Sequence, residues 1–167
     1  MFNSLKYLII LLIILPFPSK SNSLFQKTDI KLNNNIALND EKNFEKKLYD
    51  ILDSNSKYVI NFWATWCIPC KKELPDLKKM QTDNKDFNII IISIDKKPIK
   101  DQLNFLAKNK VNELTTYFDK NMIFFKSLKL RGIPTTLLIK DQKIIAKKEG
   151  IFSYNKNSLK QIFNFFN

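Results

Sequence analysis

Two apolar runs dominate the middle of the chain, Tyr58–Trp63 and Asn88–Ile94, and neither alternates regularly with polar residues. Runs of this length and composition suit strands buried on both faces of a sheet. Between them Leu74, Leu77 and Met80 recur at helical intervals, predicting a helix that opens at Cys67, with Pro75 placed to kink it. A second helix is expected from Ile99 to Asn109 with Leu103, Leu106 and Ala107 on one face, then a short strand at Thr115–Phe118 and a short helix over 121–128. Thr135–Lys140 and Lys143–Lys148 form a hairpin around Asp141-Gln142 that ends at Gly150. Leu159, Ile162, Phe163 and Phe166 fall at i, i+3, i+4 and i+7, the stripe of a helix that covers a sheet. Upstream, residues 22–38 read as a polar arm with a short strand near Ile36–Leu38. Phe44, Leu48, Ile51 and Leu52 follow Asn39 and Asp40 at helical spacing, which predicts a capped helix there. The pattern is one α/β domain over 24–167, without repeats.

The first residues follow a different rule. Lys6 and the amino terminus precede the unbroken apolar run Tyr7–Leu15, which Pro16-Phe17-Pro18 interrupts. That run is far short of the roughly 20 residues that span a bilayer. It has the form of a secretory h-region, and Ser19-Lys20-Ser21 or Ser21-Asn22-Ser23 offers a small-x-small cleavage site. Residues 1–23 are therefore expected to be a signal peptide, or an N-terminal anchor with residues 1–18 as the tether. Either arrangement puts the domain outside the cytoplasm, in the periplasm or its equivalent.

Composition removes several function classes. The formal charge is +12, yet the lysines are spread along all 167 residues and Arg131 is the only arginine. Without a clustered basic stripe interleaved with aromatics, nucleic-acid binding is not expected. The chain has no histidine, which excludes Cys-His proteolysis, Ser-His-Asp hydrolysis and His-ligated metal catalysis.

Both cysteines lie in Trp66-Cys67-Ile68-Pro69-Cys70, between the first strand and its helix. A C-x-x-C pair in that position is a thiol–disulfide redox signature. The first sulfur sits at a helix N-terminus, where free N–H groups and the macrodipole favour the thiolate that attacks disulfides. Cys67 is thus the expected nucleophile and Cys70 the resolving thiol. Pro69 tunes the pair by preorganising the first helical turn. A structural zinc site would need four ligands, and a bridge closing so short a loop would staple little. No cofactor beyond the Cys67–Cys70 disulfide is expected, and no metal.

Strand, W-C-x-P-C, proline-bearing helix and a later Gly132-Ile133-Pro134 before a strand together resemble the thioredoxin fold. The run from Asn61 to Pro75 resembles the N-F-W-A-T-W-C-x-P-C-x-x-E-x-P signature of the extracytoplasmic TlpA/ResA/CcmG (DsbE) family. The resemblance implies a central mixed sheet flanked by helices, with a helix–strand insertion, residues 98–118, before a cis-proline segment. It implies a cis Pro134 that exposes the backbone of Ile133 to substrate, with Trp66 beside the nucleophile. It also implies an acid near the dithiol. Glu73 is three residues after Cys70 and shares its helix flank, so it is the expected proton shuttle; its alternative is a solvated acid paired with lysines. Asn61 stands where thioredoxins carry a buried aspartate. Before Tyr58 the chain departs from the family, with a helix expected in place of a glycine-containing hairpin.

The implied activity is reduction of disulfides in exported proteins, with cytochrome c maturation the first candidate and a membrane-embedded electron donor restoring the dithiol. Two alternatives use the same thiols: a general extracytoplasmic disulfide oxidase, and a Cu(I) carrier.

Overall fold

The computed structural model describes residues 23–167. The expected leader, apart from Ser23, lies outside the described residues. In chain order the elements are β1 (Gln26–Lys31), β2 (Ala37–Asn39), β3 (Glu45–Lys47), α1 (Leu48–Ile51), β4 (Tyr58–Trp63), α2 (Ile68–Asp83), β5 (Asn88–Ser93), α3 (Ile99–Lys108), β6 (Thr115–Phe118), α4 (Ile123–Ser127), β7 (Thr135–Lys140), β8 (Lys143–Glu149) and α5 (Lys156–Phe166). The strands form one sheet in the order β1-β8-β7-β4-β5-β6-β2-β3. β4 runs parallel to β5 and antiparallel to β7, so the sheet is mixed, as the thioredoxin-like reading requires. The insertion α3–β6 adds a parallel strand outside β5.

Every residue of β4 is buried, so both of its faces must be covered. Successive side chains on a strand point to opposite faces. Phe62 accordingly meets Phe124 and Phe125 of α4, while Trp63 stacks on Phe105 of α3 at 5.8 Å. Asn61 shares the face of Trp63 by the same alternation. α2 contributes Cys70, Glu73, Leu74, Leu77 and Met80 to the interior, and Ile162 and Phe166 of α5 are buried. Each of these interior aromatics and aliphatics, fully buried, stabilises the fold by about 1.5–3 kcal/mol.

Three expectations are corrected. The helix expected behind Asp40 is instead the β2–β3 hairpin, with only the single turn α1 after it. The Asp40 carboxylate accepts the amides of Lys42 and Phe44 and closes the turn, and Asn43 takes the left-handed position at φ 68°. Asparagine tolerates that conformation better than most residues, so the hairpin forms without glycine. Phe44 is exposed and Leu48 and Leu52 are buried, which leaves too few core positions for a helical stripe. The polar arm contains β1, paired with β8 and pinned by buried Phe25 and Leu32. On α3 the inward residues are Ile99, Gln102 and Leu106, with Ala107 exposed. Gln102 is turned in because its Nε2 donates to the Lys97 carbonyl at 2.6 Å and so closes the β5–α3 loop.

Candidate active site

β4 ends at Trp63, and the chain turns through Ala64, Thr65 and Trp66 into α2. Cys67 is the N-cap of that helix: its Sγ accepts the Cys70 amide at 3.2 Å, and Pro69 occupies the first turn, where a missing N–H costs nothing. The two sulfurs are joined as a disulfide. Cys67 is 4% exposed and Cys70 1%, so both are enclosed and Cys67 is the nearer to solvent. Any substrate must come close to reach it.

The turn before Cys67 is fixed from the β5–α3 loop. Asp95 Oδ2 accepts both the amide of Thr65 (2.9 Å) and its hydroxyl, and Oδ1 accepts the Lys97 amide at 3.0 Å. Burial pushes the Asp95 carboxyl up, but the Thr65 hydroxyl and the Lys97 and Thr65 amides outweigh it and hold it below the usual carboxylate range. A stable buried anion results. This clamp is not legible in the sequence, because nothing local in Ser93-Ile94-Asp95 announces a partner thirty residues upstream.

Glu73 lies on the inner face of α2, one turn beyond Cys70, and is 1% exposed. It is in none of the ion pairs among the described residues, so the solvated, lysine-paired alternative does not hold. Its Oε1 accepts the Phe152 amide at 3.0 Å, while Oε2 has no partner. Burial raises its pKa from 4.5 to about 8, opposed by Asn61, the Phe152 amide, Lys148 and Thr136. Asn61 donates to Thr136 Oγ1 at 3.0 Å, and its Oδ1 is likewise buried without a partner. A neutral carboxyl suits this site: protonated at Oε2, Glu73 gains a donor, and Asn61 Oδ1 is an open acceptor among the groups acting on it.

The third component is the loop before β7. The Ile133–Pro134 peptide bond is cis, Thr135 Oγ1 donates to the Gly132 carbonyl, and the Pro134 carbonyl accepts the Gly150 amide. Trp66, Gly132 and Ile133 line one cavity of about 780 Å³, so the residue before Cys67 and the residues before the cis proline share a groove. Trp66 is 60% exposed there.

The fold and this geometry agree with comparisons to known proteins. The AhpC/TSA family profile matches residues 29–148. Thiol-disulfide oxidoreductase ResA of Bacillus thuringiensis subsp. konkukian is 33% identical over 112 residues, 64% of this chain and 62% of that protein. The chain thus spans under two thirds of the ResA relatives' length. A thioredoxin of Mycoplasmoides gallisepticum is 27% identical over 116 residues, 70% of this chain and 90% of the relative. Among solved structures, one from Chlorobium tepidum, assigned as a thiol:disulfide interchange protein DsbE, superimposes with a TM-score of 0.70 and 28% identity, covering 85% of this chain and 99% of its own.

Proposed function

The chain belongs to the AhpC/TSA family, and on that premise we propose that it is a thiol–disulfide oxidoreductase that reduces disulfides in exported proteins through Cys67 and Cys70. The observation that carries this reading is the Cys67–Cys70 disulfide at the N-terminus of a sixteen-residue helix. The helix end and the Cys70 amide stabilise negative charge on the Cys67 sulfur once the pair is reduced. That thiolate attacks a substrate disulfide. A Cys67–substrate bond forms, and the displaced substrate sulfur leaves as a thiolate and takes up a proton. Cys70 then loses its proton and attacks the Cys67 sulfur, which releases the second substrate thiol and closes the internal disulfide. Two electrons pass to the substrate.

Cys70 needs a proton acceptor at that moment, and it is buried away from water. Glu73, one turn on, with a carboxyl that titrates at about pH 8, is the group suited to this exchange: its ionised form takes the proton, and the neutral form that burial favours returns it. Trp66, Ile133 and cis Pro134 receive the substrate, whose backbone adds beside Ile133 as a short strand. Pro69 keeps the helix start rigid. An apolar leader in residues 1–23 would carry the domain across or to the membrane, where a membrane-embedded dithiol donor restores the reduced pair; no helix among the described residues is long and apolar enough to span a membrane. The cytochrome c maturation pathway is the first place to look for substrates.

The test is substrate trapping. A Cys70→Ala variant expressed in its host should accumulate mixed disulfides on Cys67 with exported proteins, which thiol-specific mass spectrometry identifies. Absence of adducts, or more of them on Cys67→Ala than on Cys70→Ala, would refute the assignment. Direction is read by equilibration with dithiothreitol buffers: a potential below about −200 mV fits a reductase, and one near about −120 mV fits an oxidase.

A further inference from the structure

The groove beside the dithiol has an apolar floor and a basic rim. Met122 and Phe125 lie under it, with the exposed indole of Trp66 on one side and Ile133 on the other. Its volume of about 780 Å³ is sufficient for several side chains of an extended segment. Neither the amide nor the carbonyl of Ile133 is engaged by another described residue, so a strand laid along the groove finds backbone partners. The rim carries Lys96, Lys97 and Arg131 against a single carboxylate, Asp95. Asp95 spends both oxygens on Thr65 and on the Lys97 amide. Arg131 is paired with Glu149 at 2.6 Å. Lys96 and Lys97 are exposed and belong to none of the ion pairs among the described residues.

Two exposed ammonium groups thus stand outside the ion pairs of the described residues, with Lys97 partly offset by the Asp95 carboxylate and Arg131 already held by Glu149. They still leave a net positive rim beside an apolar trough, which complements one kind of occupant. We propose that the groove selects substrate segments in which carboxylates flank an apolar residue next to the reactive disulfide, with Lys96 and Lys97 as the specificity-determining residues. The substrate class therefore narrows from protein disulfides in general to disulfides set in acidic, extended sequence. This deepens the oxidoreductase reading and rests on it. A charged, concave wall raises the local concentration of oppositely charged substrate and speeds encounter by roughly 10- to 1000-fold.

The overall charge of the chain attracts any acidic peptide, so the test must separate the groove from the bulk. Two fluorescent peptides of equal length share an apolar residue and differ only in glutamate or lysine flanks. Each is made with a disulfide for exchange and with serines in place of the cysteines for binding. They are compared on the natural chain, on Lys96→Glu/Lys97→Glu, and on the charge-matched Lys156→Glu/Lys160→Glu, whose changes lie on the exposed side of α5. By anisotropy, the natural chain and the α5 variant should bind the acidic serine peptide at least tenfold more tightly than the basic one. The groove variant should bring the two to parity or reverse them. Equal binding by the natural chain, or equal loss of preference in both variants, overturns the proposal. Acid-selective binding without any exchange of the disulfide peptides would instead overturn the oxidoreductase reading and leave the groove standing.

Discussion

Two buried carboxylates flank the dithiol, and they have been driven in opposite directions. Asp95, on the Cys67 side, is enclosed with three donors aimed at its two oxygens, and it is held ionised. Glu73, on the Cys70 side, has one backbone donor, one oxygen without a partner, and a pKa raised to about 8. Burial penalises both anions; the supply of donors decides which remains one. The first is built as a clamp whose charge does not change in the working range. The second is built to change its charge where thiols do. Asp95 thus fixes the Thr65 turn ahead of Cys67, whereas Glu73, one turn after Cys70, carries the proton-transfer role proposed above.

The largest test of this contrast is stability against pH, measured on the oxidised protein so that the cysteines do not titrate. The folded state holds the Glu73 proton more tightly than the unfolded chain, so its stabilising contribution is full below about pH 4.5 and is lost as pH rises toward about 8. At 1.36 kcal/mol per unit the loss approaches about 5 kcal/mol. Glu73→Gln, neutral throughout, should abolish that decline in denaturant unfolding between pH 5 and 9 and be the more stable protein at the alkaline end. A variant whose stability falls in parallel with the parent would remove Glu73 as the cause. Asp95 works with the opposite sign: its contribution is present above the ordinary aspartate range and disappears only as acid protonates it.

Next in size is the clamp itself. Asp95→Ala leaves the Thr65 amide and hydroxyl without their acceptor and should cost about 3 kcal/mol at neutral pH, whereas Asp95→Asn, which keeps one oxygen, should cost about 1 kcal/mol. Thermal unfolding at pH 7 checks both, and equal midpoints for the alanine variant and the parent would deny Asp95 its structural part. The smallest effect is a ratio of rates. In the reduced protein iodoacetamide should modify Cys67 several-fold faster than Cys70 at neutral pH. Glu73→Gln should alter the Cys70 rate alone, and Asp95→Asn the Cys67 rate alone. Mass mapping of the labelled peptides reads this, and a faster Cys70 would invert the assignment of roles.

The dithiol half of the fold was legible because its signals are local. The positions of β4 and β5 follow from apolar runs, and Cys67 opens α2 with Pro69 in the first turn, a feature written within four residues. Residues 40–52 were misread because Phe44, Leu48 and Leu52 satisfy helical spacing while the deciding interactions are the Asp40 carboxylate on two amides and the left-handed Asn43. With only two glycines in the chain, such turns carry no usual marker. Asn43, Met122, Asp141 and Gln142 all adopt positive φ, where sequence offers a weaker cue than glycine would. The site divided in the same way. Cys67, Cys70 and Glu73 share one motif, but the Thr65–Asp95, Asn61–Thr136 and Glu73–Phe152 contacts join elements that only the assembled sheet brings together.

Whether a buried carboxyl serves the dithiol is tested most directly by the pH–rate profile of disulfide reduction. Turnover of a small disulfide substrate, with the dithiol regenerated by excess dithiothreitol, would be followed from pH 6 to 10 for the natural chain and for Glu73→Gln. The natural chain should show an inflection near pH 8, where Glu73 titrates, and the variant a slower reaction with that inflection absent or displaced. Superimposable profiles would contradict this and return Glu73 to a purely structural place on α2.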